Sequence, residues 1–177
     1  NRPMVMIAPH QNNLDLIIGG LGIPARTVSL GKIQLLQIPV FGWFYWLSGH
    51  ILINRTNKRK AKYSMEKVTE NIQGKNISIW IMPEGTRSRG RGLLPFKNGA
   101  FRTAIDAQVP IIPVAFNTYS ESVDLNRLKA GKIIGHVLDP IPTTGLDKGD
   151  APRLAQESWE KMKAKIAELD AEVFNSN

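Results

Sequence analysis

The chain has 177 residues, 42% of them hydrophobic, and a formal net charge of +8. That length suffices for one domain with a real hydrophobic core, and the total lack of cysteine excludes disulfides, thiolate metal sites and a Cys nucleophile, in keeping with a reducing compartment. The excess of Lys and Arg suits a polyanionic partner, which leaves a phosphorylated metabolite, a nucleic acid or an anionic lipid surface.

The first apolar run, MVMIA, begins at residue 4 and reads as a short buried strand. NNLDLIIGGLG follows as a helix opening behind an Asn cap. RTVSL is a second strand, leading into the apolar stretch GKIQLLQIPVFGWFYWLSG. HILINR reads as a strand ending in a basic residue, and NKRKAKYSMEKVTENIQGK as a helix ending near a Gly. ISIWIM is the clearest buried strand and runs straight into PEGTRSRGRG. NGAFRTAIDAQ is helical, VPIIPVAF and KIIGHVL are strands, and Pro152 to Val173 forms a charged amphipathic helix. Strands alternating with helices predict an α/β fold, an αβα sandwich around a mixed, largely parallel sheet. There are no repeats. No apolar run approaches the roughly 18–20 residues that span a bilayer, and no signal peptide is visible. Because the chain enters a core strand almost at once and lacks an initiator Met, residues 1–177 are expected to be a single domain lacking an upstream, membrane-associated N-terminal segment.

Four stretches carry chemistry. On one continuous helix His10 and Asp15 would point about 140° apart. With His10 in the turn and Asn13 as cap, Asp15 falls in the first helical turn and reaches back to the imidazole, leaving the other ring nitrogen as a general base. The alternative is a loop histidine beside an aspartate that merely favours the helix dipole. In MPEGTRSRGRG, residues Glu84 to Arg87 fall at the carboxyl end of a buried strand, the edge where α/β sheets bind ligands. There Gly85 permits close backbone approach, while Thr86 and Arg87 offer a hydroxyl and a guanidinium fork for phosphate. A solvated loop, or an arginine-glycine segment for nucleic acid, fits the same letters. Arg55 ends an apolar strand, and Lys58, Arg59, Lys60 and Lys62 form a basic face. Lys97 precedes a helix start, a natural anion site, and Lys32 is a further phosphate contact. In IPVFGWFYWL, the cluster Phe41, Trp43, Phe44, Tyr45 and Trp46 is either core or an interfacial belt.

Taken in order, His10-Gln11-Asn12-Asn13-Leu14-Asp15, Gly49 to Arg55, Pro83-Glu84-Gly85-Thr86-Arg87-Ser88 and Val109 to Val114 closely resemble the bacterial 1-acyl-sn-glycerol-3-phosphate (lysophosphatidate) acyltransferase family, with His10 and Asp15 on its H-x4-D motif. Asn54 departs from the acidic residue common there, and Gln34 from a frequent Glu. The resemblance implies acyl transfer to the sn-2 hydroxyl of lysophosphatidic acid, giving phosphatidic acid for phospholipid synthesis. His10 then takes the hydroxyl proton and Asp15 orients it. Arg55, Glu84, Gly85, Thr86, Arg87 and Lys97 hold the glycerol phosphate, and the strand with Val109, Pro110, Ile111 and Pro113 lies under the acyl-donor pocket. Acyl-coenzyme A or acyl carrier protein is the co-substrate. Neither cofactor, metal nor acyl-enzyme is implied, and no G-x-S-x-G elbow is present. The setting implied is the cytoplasmic face of the bacterial inner membrane, against an anionic lipid surface. Nucleic acid is not expected, because the aromatics sit in one apolar stretch rather than among the basic residues. A hydrolase is the rival enzyme, since the same pair can activate water.

Overall fold

The structure, a computed structural model, describes residues 3–53, 58–124, 126 and 130–175. Its strands are β1 (Val5–Ile7), β2 (Thr27–Lys32), β3 (Ile51–Ile53), β4 (Ser78–Ile81), β5 (Ile111–Phe116) and β6 (Gly135–Val137). Its helices are α1 (Asp15–Gly22), α2 (Phe41–Leu47), α3 (Lys58–Lys75), α4 (Gly99–Ala107), the single turn α5 (Tyr119–Ser122) and α6 (Ala151–Asn175). One sheet has the order β3-β2-β4-β1-β5-β6. All pairings are parallel except β5 with β6, as the expected mixed, largely parallel sheet requires.

Period-two alternation divides the strands between two unequal layers. Val5, Ile7, Ile79, Ile81 and Ile111 face the main core, where Val68 and Ile72 of α3, Phe101 of α4 and Leu154 and Met162 of α6 cover them. Met6, Ala8, Trp80, Ile112 and Val114 face the other way in a smaller cluster. That second face is covered thinly by α1 and α2. Gly19 of α1 lies against Trp80, with room for a Cβ only at 3.4 Å from the indole. Gly31 of β2 lies under Leu35 and Tyr45, which a Cβ would meet at 2.7 and 2.8 Å. A side chain at Gly31 would have to displace Leu35 and Tyr45.

Two readings change, and one stretch left open is settled. Asn13 does not cap α1: the N-cap position is Leu14, with no side-chain cap bond, Asn13 is exposed, and the Asn12 side chain accepts from the Leu14 N–H at 2.8 Å in the turn just before the helix. The last strand shrinks to Gly135–Val137, an exposed edge. Its expected first residues are used otherwise: Lys132 O accepts from Asn117 Nδ2 at 3.2 Å and the Ile134 N–H donates to Asn117 Oδ1 at 2.7 Å. The stretch after β2 becomes a 3-10 turn, Ile33–Gln37, followed by α2. Among the described residues no helix is long and apolar enough to cross a membrane.

Candidate active site

β1, one of the two central strands, runs on into Ala8-Pro9, so the chain leaves the sheet at its carboxyl edge between β4 and β5. This is where an open parallel sheet leaves a crevice. His10 occupies the turn and Asp15 opens α1, with His10 Nδ1 2.5 Å from Asp15 Oδ2. The Asn12 N–H reaches both carboxylate oxygens at 3.2 Å, and the Tyr119 hydroxyl donates to Oδ1. Asp15 is buried at 4% exposure. Its charge is tolerated because every oxygen has a donor. His10 Nε2 has no partner among the described residues.

The turn after β4 is laced to the His10 turn. Glu84, 2% exposed, accepts from the His10 N–H through Oε1 at 2.6 Å and from the Leu94 N–H through Oε2 at 3.0 Å. The N–H of Ser88 donates to His10 O at 2.7 Å and that of Arg89 to Gln11 O at 3.1 Å. Burial pushes the Glu84 carboxyl above its ordinary value, and the two amides and His10 pull it part of the way back. Expected at the phosphate, Glu84 instead has both oxygens committed to backbone amides, so it holds two loops in register.

Thr86 and Arg87 do line the cleft with His10, joined by Lys32 and Arg89. The Arg87 Nε is buried without a hydrogen-bond partner. A guanidinium N–H left unpaired beside a crevice is a donor waiting for an anion. Gly85 has φ +71°, and a Cβ there would come within 2.7 Å of Lys97 Nζ. Lys97 therefore lies across Gly85, outside the residues lining the cleft. Arg55 and its neighbour Asn54 fall outside the described residues.

The cleft, of about 370 Å³, runs from His10 over the thinly covered sheet face to Leu35, Phe44 and Tyr45. A second cavity of about 320 Å³ lies beyond Gly19 and Trp80, which line both. Its walls are apolar, with Ile18, Val114, Phe116 and Val137 among them. Of Val109 to Val114, the stretch expected under the acyl pocket, only Val114 lines this cavity. Val109 and Ile111 pack into the main core, because their side chains leave the opposite face, and Pro110 and Pro113 line neither space.

His50, which lies in the Gly49 to Arg55 stretch but has no assigned role there, and Tyr119, which no motif contains, are further site residues. His50 lines the cleft, and its Nδ1 accepts from the Ser29 N–H at 3.0 Å. The proton is thus on Nε2, and burial lowers the pKa, so the ring is held neutral over Tyr45 at 4.5 Å between centroids. Tyr119 lies just past β5. That β5 neighbours β1, and so brings Tyr119 to Asp15, is a fact of strand order with no local signal.

Residues 1–117 match the family model described as Acyltransferase. The chain is 48% identical over 169 residues to the 1-acyl-sn-glycerol-3-phosphate acyltransferase of Escherichia coli strain K12, covering 96% of this chain and 69% of that protein. It is 45% identical over 173 residues to the enzyme of the same name from Haemophilus influenzae, covering 98% and 72%. In fold it resembles the crystal structure of the 1-acyl-sn-glycerophosphate (LPA) acyltransferase PlsC from Thermotoga maritima. The TM-score is 0.76 at 24% identity, over 97% of this chain and 68% of that one. With the His-Asp pair, the glycine-bearing turn and this sheet accounted for, the chain belongs to the acyltransferase family.

Proposed function

We propose that this protein transfers a fatty acyl group from acyl-coenzyme A or acyl carrier protein to the sn-2 hydroxyl of 1-acyl-sn-glycerol-3-phosphate, giving phosphatidic acid. The observation that carries the reading is the free His10 Nε2 in a cleft that has cationic side chains and an apolar cavity adjoining it. The names of the relatives support the substrate.

Nε2 of His10 takes the hydroxyl proton as the oxygen attacks the thioester carbonyl carbon. The tetrahedral intermediate collapses with cleavage of the C–S bond, and the imidazolium returns the proton to the departing sulfur. Asp15 fixes the ring so that Nε2 is the basic nitrogen. Arg87 and Thr86, with Lys32 and Arg55, hold the phosphate. Acyl chains run over Trp80 toward the second cavity. A thioester is already activated, so the remaining work is proton removal, worth about 10²–10⁴-fold, and alignment of two amphiphiles. Thiol release from acyl-coenzyme A should therefore require lysophosphatidate. Equal release without the acceptor would instead indicate a hydrolase.

The amphiphiles come from an anionic membrane surface, on the cytoplasmic face of the bacterial inner membrane. In α2 the aromatic run is not core: Trp43, Phe44 and Trp46 are 71%, 67% and 62% exposed, and Tyr45 alone of the cluster is buried. Phe44 also lines the cleft, so the exposed ridge and the mouth adjoin. Trp at a lipid interface and a basic surface against anionic headgroups both favour adsorption. Trp43→Ser with Trp46→Ser should weaken co-sedimentation with phosphatidylglycerol vesicles by about tenfold, from the apolar area lost. Unchanged sedimentation would rule the ridge out as the contact.

A further inference from the structure

The segment just past β5 makes contacts that no motif accounts for. Asn117 is 1% exposed, and its backbone carbonyl accepts from Gln11 Nε2 at 2.8 Å. The Ser120 N–H donates to Gln11 Oε1 at 3.2 Å. Thr118 is tied to α6 by its hydroxyl, which donates to Asp170 Oδ2 at 2.7 Å, and by its N–H to Oδ1. Between these anchors Tyr119 is 1% exposed, with its ring edge against Phe116 at 6.4 Å between centroids and its hydroxyl on Asp15 Oδ1.

We propose that Tyr119 is a positioning residue for acyl transfer: its hydroxyl, aimed from a segment clamped to both Gln11 and α6, fixes the rotation of the Asp15 carboxylate and thereby the plane of the His10 imidazole. The proposal rests on the general-base reading of His10. Asp15 Oδ2 faces His10 Nδ1, and the Asn12 N–H bridges both oxygens at 3.2 Å. That shared amide contact restrains the carboxylate's rotation weakly. The phenol supplies the second directed donor, on the oxygen that His10 does not use. Burial and the adjacent carboxylate raise the phenol pKa above its ordinary value, so it stays a donor across the working range. A phenylalanine keeps the packing against Phe116 and removes that one bond. The carboxylate then gains a degree of freedom, and a base out of line costs rate rather than substrate affinity.

The test is Tyr119→Phe in the full chain, with His10→Ala beside it. Tyr119→Phe should lower kcat about 10–100-fold and leave KM for both substrates within about twofold, while Tm and circular dichroism confirm folding. The low-field proton resonance of the His10 Nδ1–H should move, since its acceptor loses a competing donor. A folded variant with unchanged kcat and an unmoved resonance overturns the proposal, as does a loss expressed only in KM. If the phenylalanine variant does not fold, Tyr119→3-fluorotyrosine decides. Its more acidic phenol draws on Asp15 more strongly and should shift the same resonance upfield, and an unmoved resonance again overturns the proposal. The underlying reading fails separately: turnover by His10→Ala removes the general base and Tyr119's task together. An inactive His10→Ala beside a fully active Tyr119→Phe removes the Tyr119 proposal alone.

Discussion

His10→Ala lowers kcat by about 10²–10⁴-fold, with the unfolding midpoint close to that of the parent. The large effect follows because, among the described residues, the cleft holds no second base able to replace it. Asp15 is behind His10, at 2% side-chain exposure, and His50 is turned toward Ser29 through its Nδ1, which leaves a protonated, non-basic Nε2. The small effect on folding follows because the imidazole makes one side-chain hydrogen bond, to Asp15. Removing it leaves that carboxylate with Tyr119 and the Asn12 amide, so no bare charge is buried. Steady-state thiol release and a denaturant titration read the two quantities independently. Near-normal turnover would end the general-base assignment.

Glu84→Gln, although nearly isosteric, destabilises the fold by about 1–3 kcal/mol, the cost of leaving a buried group without its partner. Both Glu84 oxygens accept from backbone N–H groups. A carboxamide has one acceptor, and its NH₂ must oppose either the His10 or the Leu94 amide. The effect depends on pH. The folded carboxyl titrates above its ordinary value of 4.5, so the parent gains stability from this group below that value and loses it as pH rises through the folded pKa. Glutamine does not titrate. The gap between parent and variant is therefore widest at acid pH and narrows toward neutrality, which urea titrations at the two ends would measure. A gap that widened with pH would contradict the assigned shift. Turnover should fall as well, since the His10 turn loses a tether at its first residue.

Legibility followed locality. ISIWIM is wholly apolar or β-branched apart from its serine, and Ser78–Ile81 is buried throughout. The switch from that run to Pro-Glu-Gly marked the carboxyl edge, and the H-x4-D spacing placed Asp15 in the first turn of α1, where it lies. Assignment of side chains within VPIIPVAF was a different matter. The run is apolar on both faces, so its letters do not say that Ile111 looks into the main core and Val114 into the cavity. Glu84 is expected at the phosphate because its strand end is the ligand edge of the sheet and because the family resemblance implies that role. Its burial depends on Leu94 returning over it, ten residues later. The aromatic run showed the same ambiguity until α2 left Trp43 and Trp46 outside and Tyr45 within.

The placement of β1 between β4 and β5 also sets when the site can exist during folding. The hydrogen bonds that assemble it join residues 74 apart for His10 and Glu84, 104 for Tyr119 and Asp15, and 109 for Ser120 and Gln11. Each closes a loop longer than half the chain or close to it, and such closures carry entropy that only later contacts repay. The His10–Asp15 contact itself spans only five residues, so what these long closures add is the pair of bonds from Glu84 and Tyr119 that hold it in place. The complete site therefore needs both neighbours of β1 in place, β4 on one side and β5 on the other.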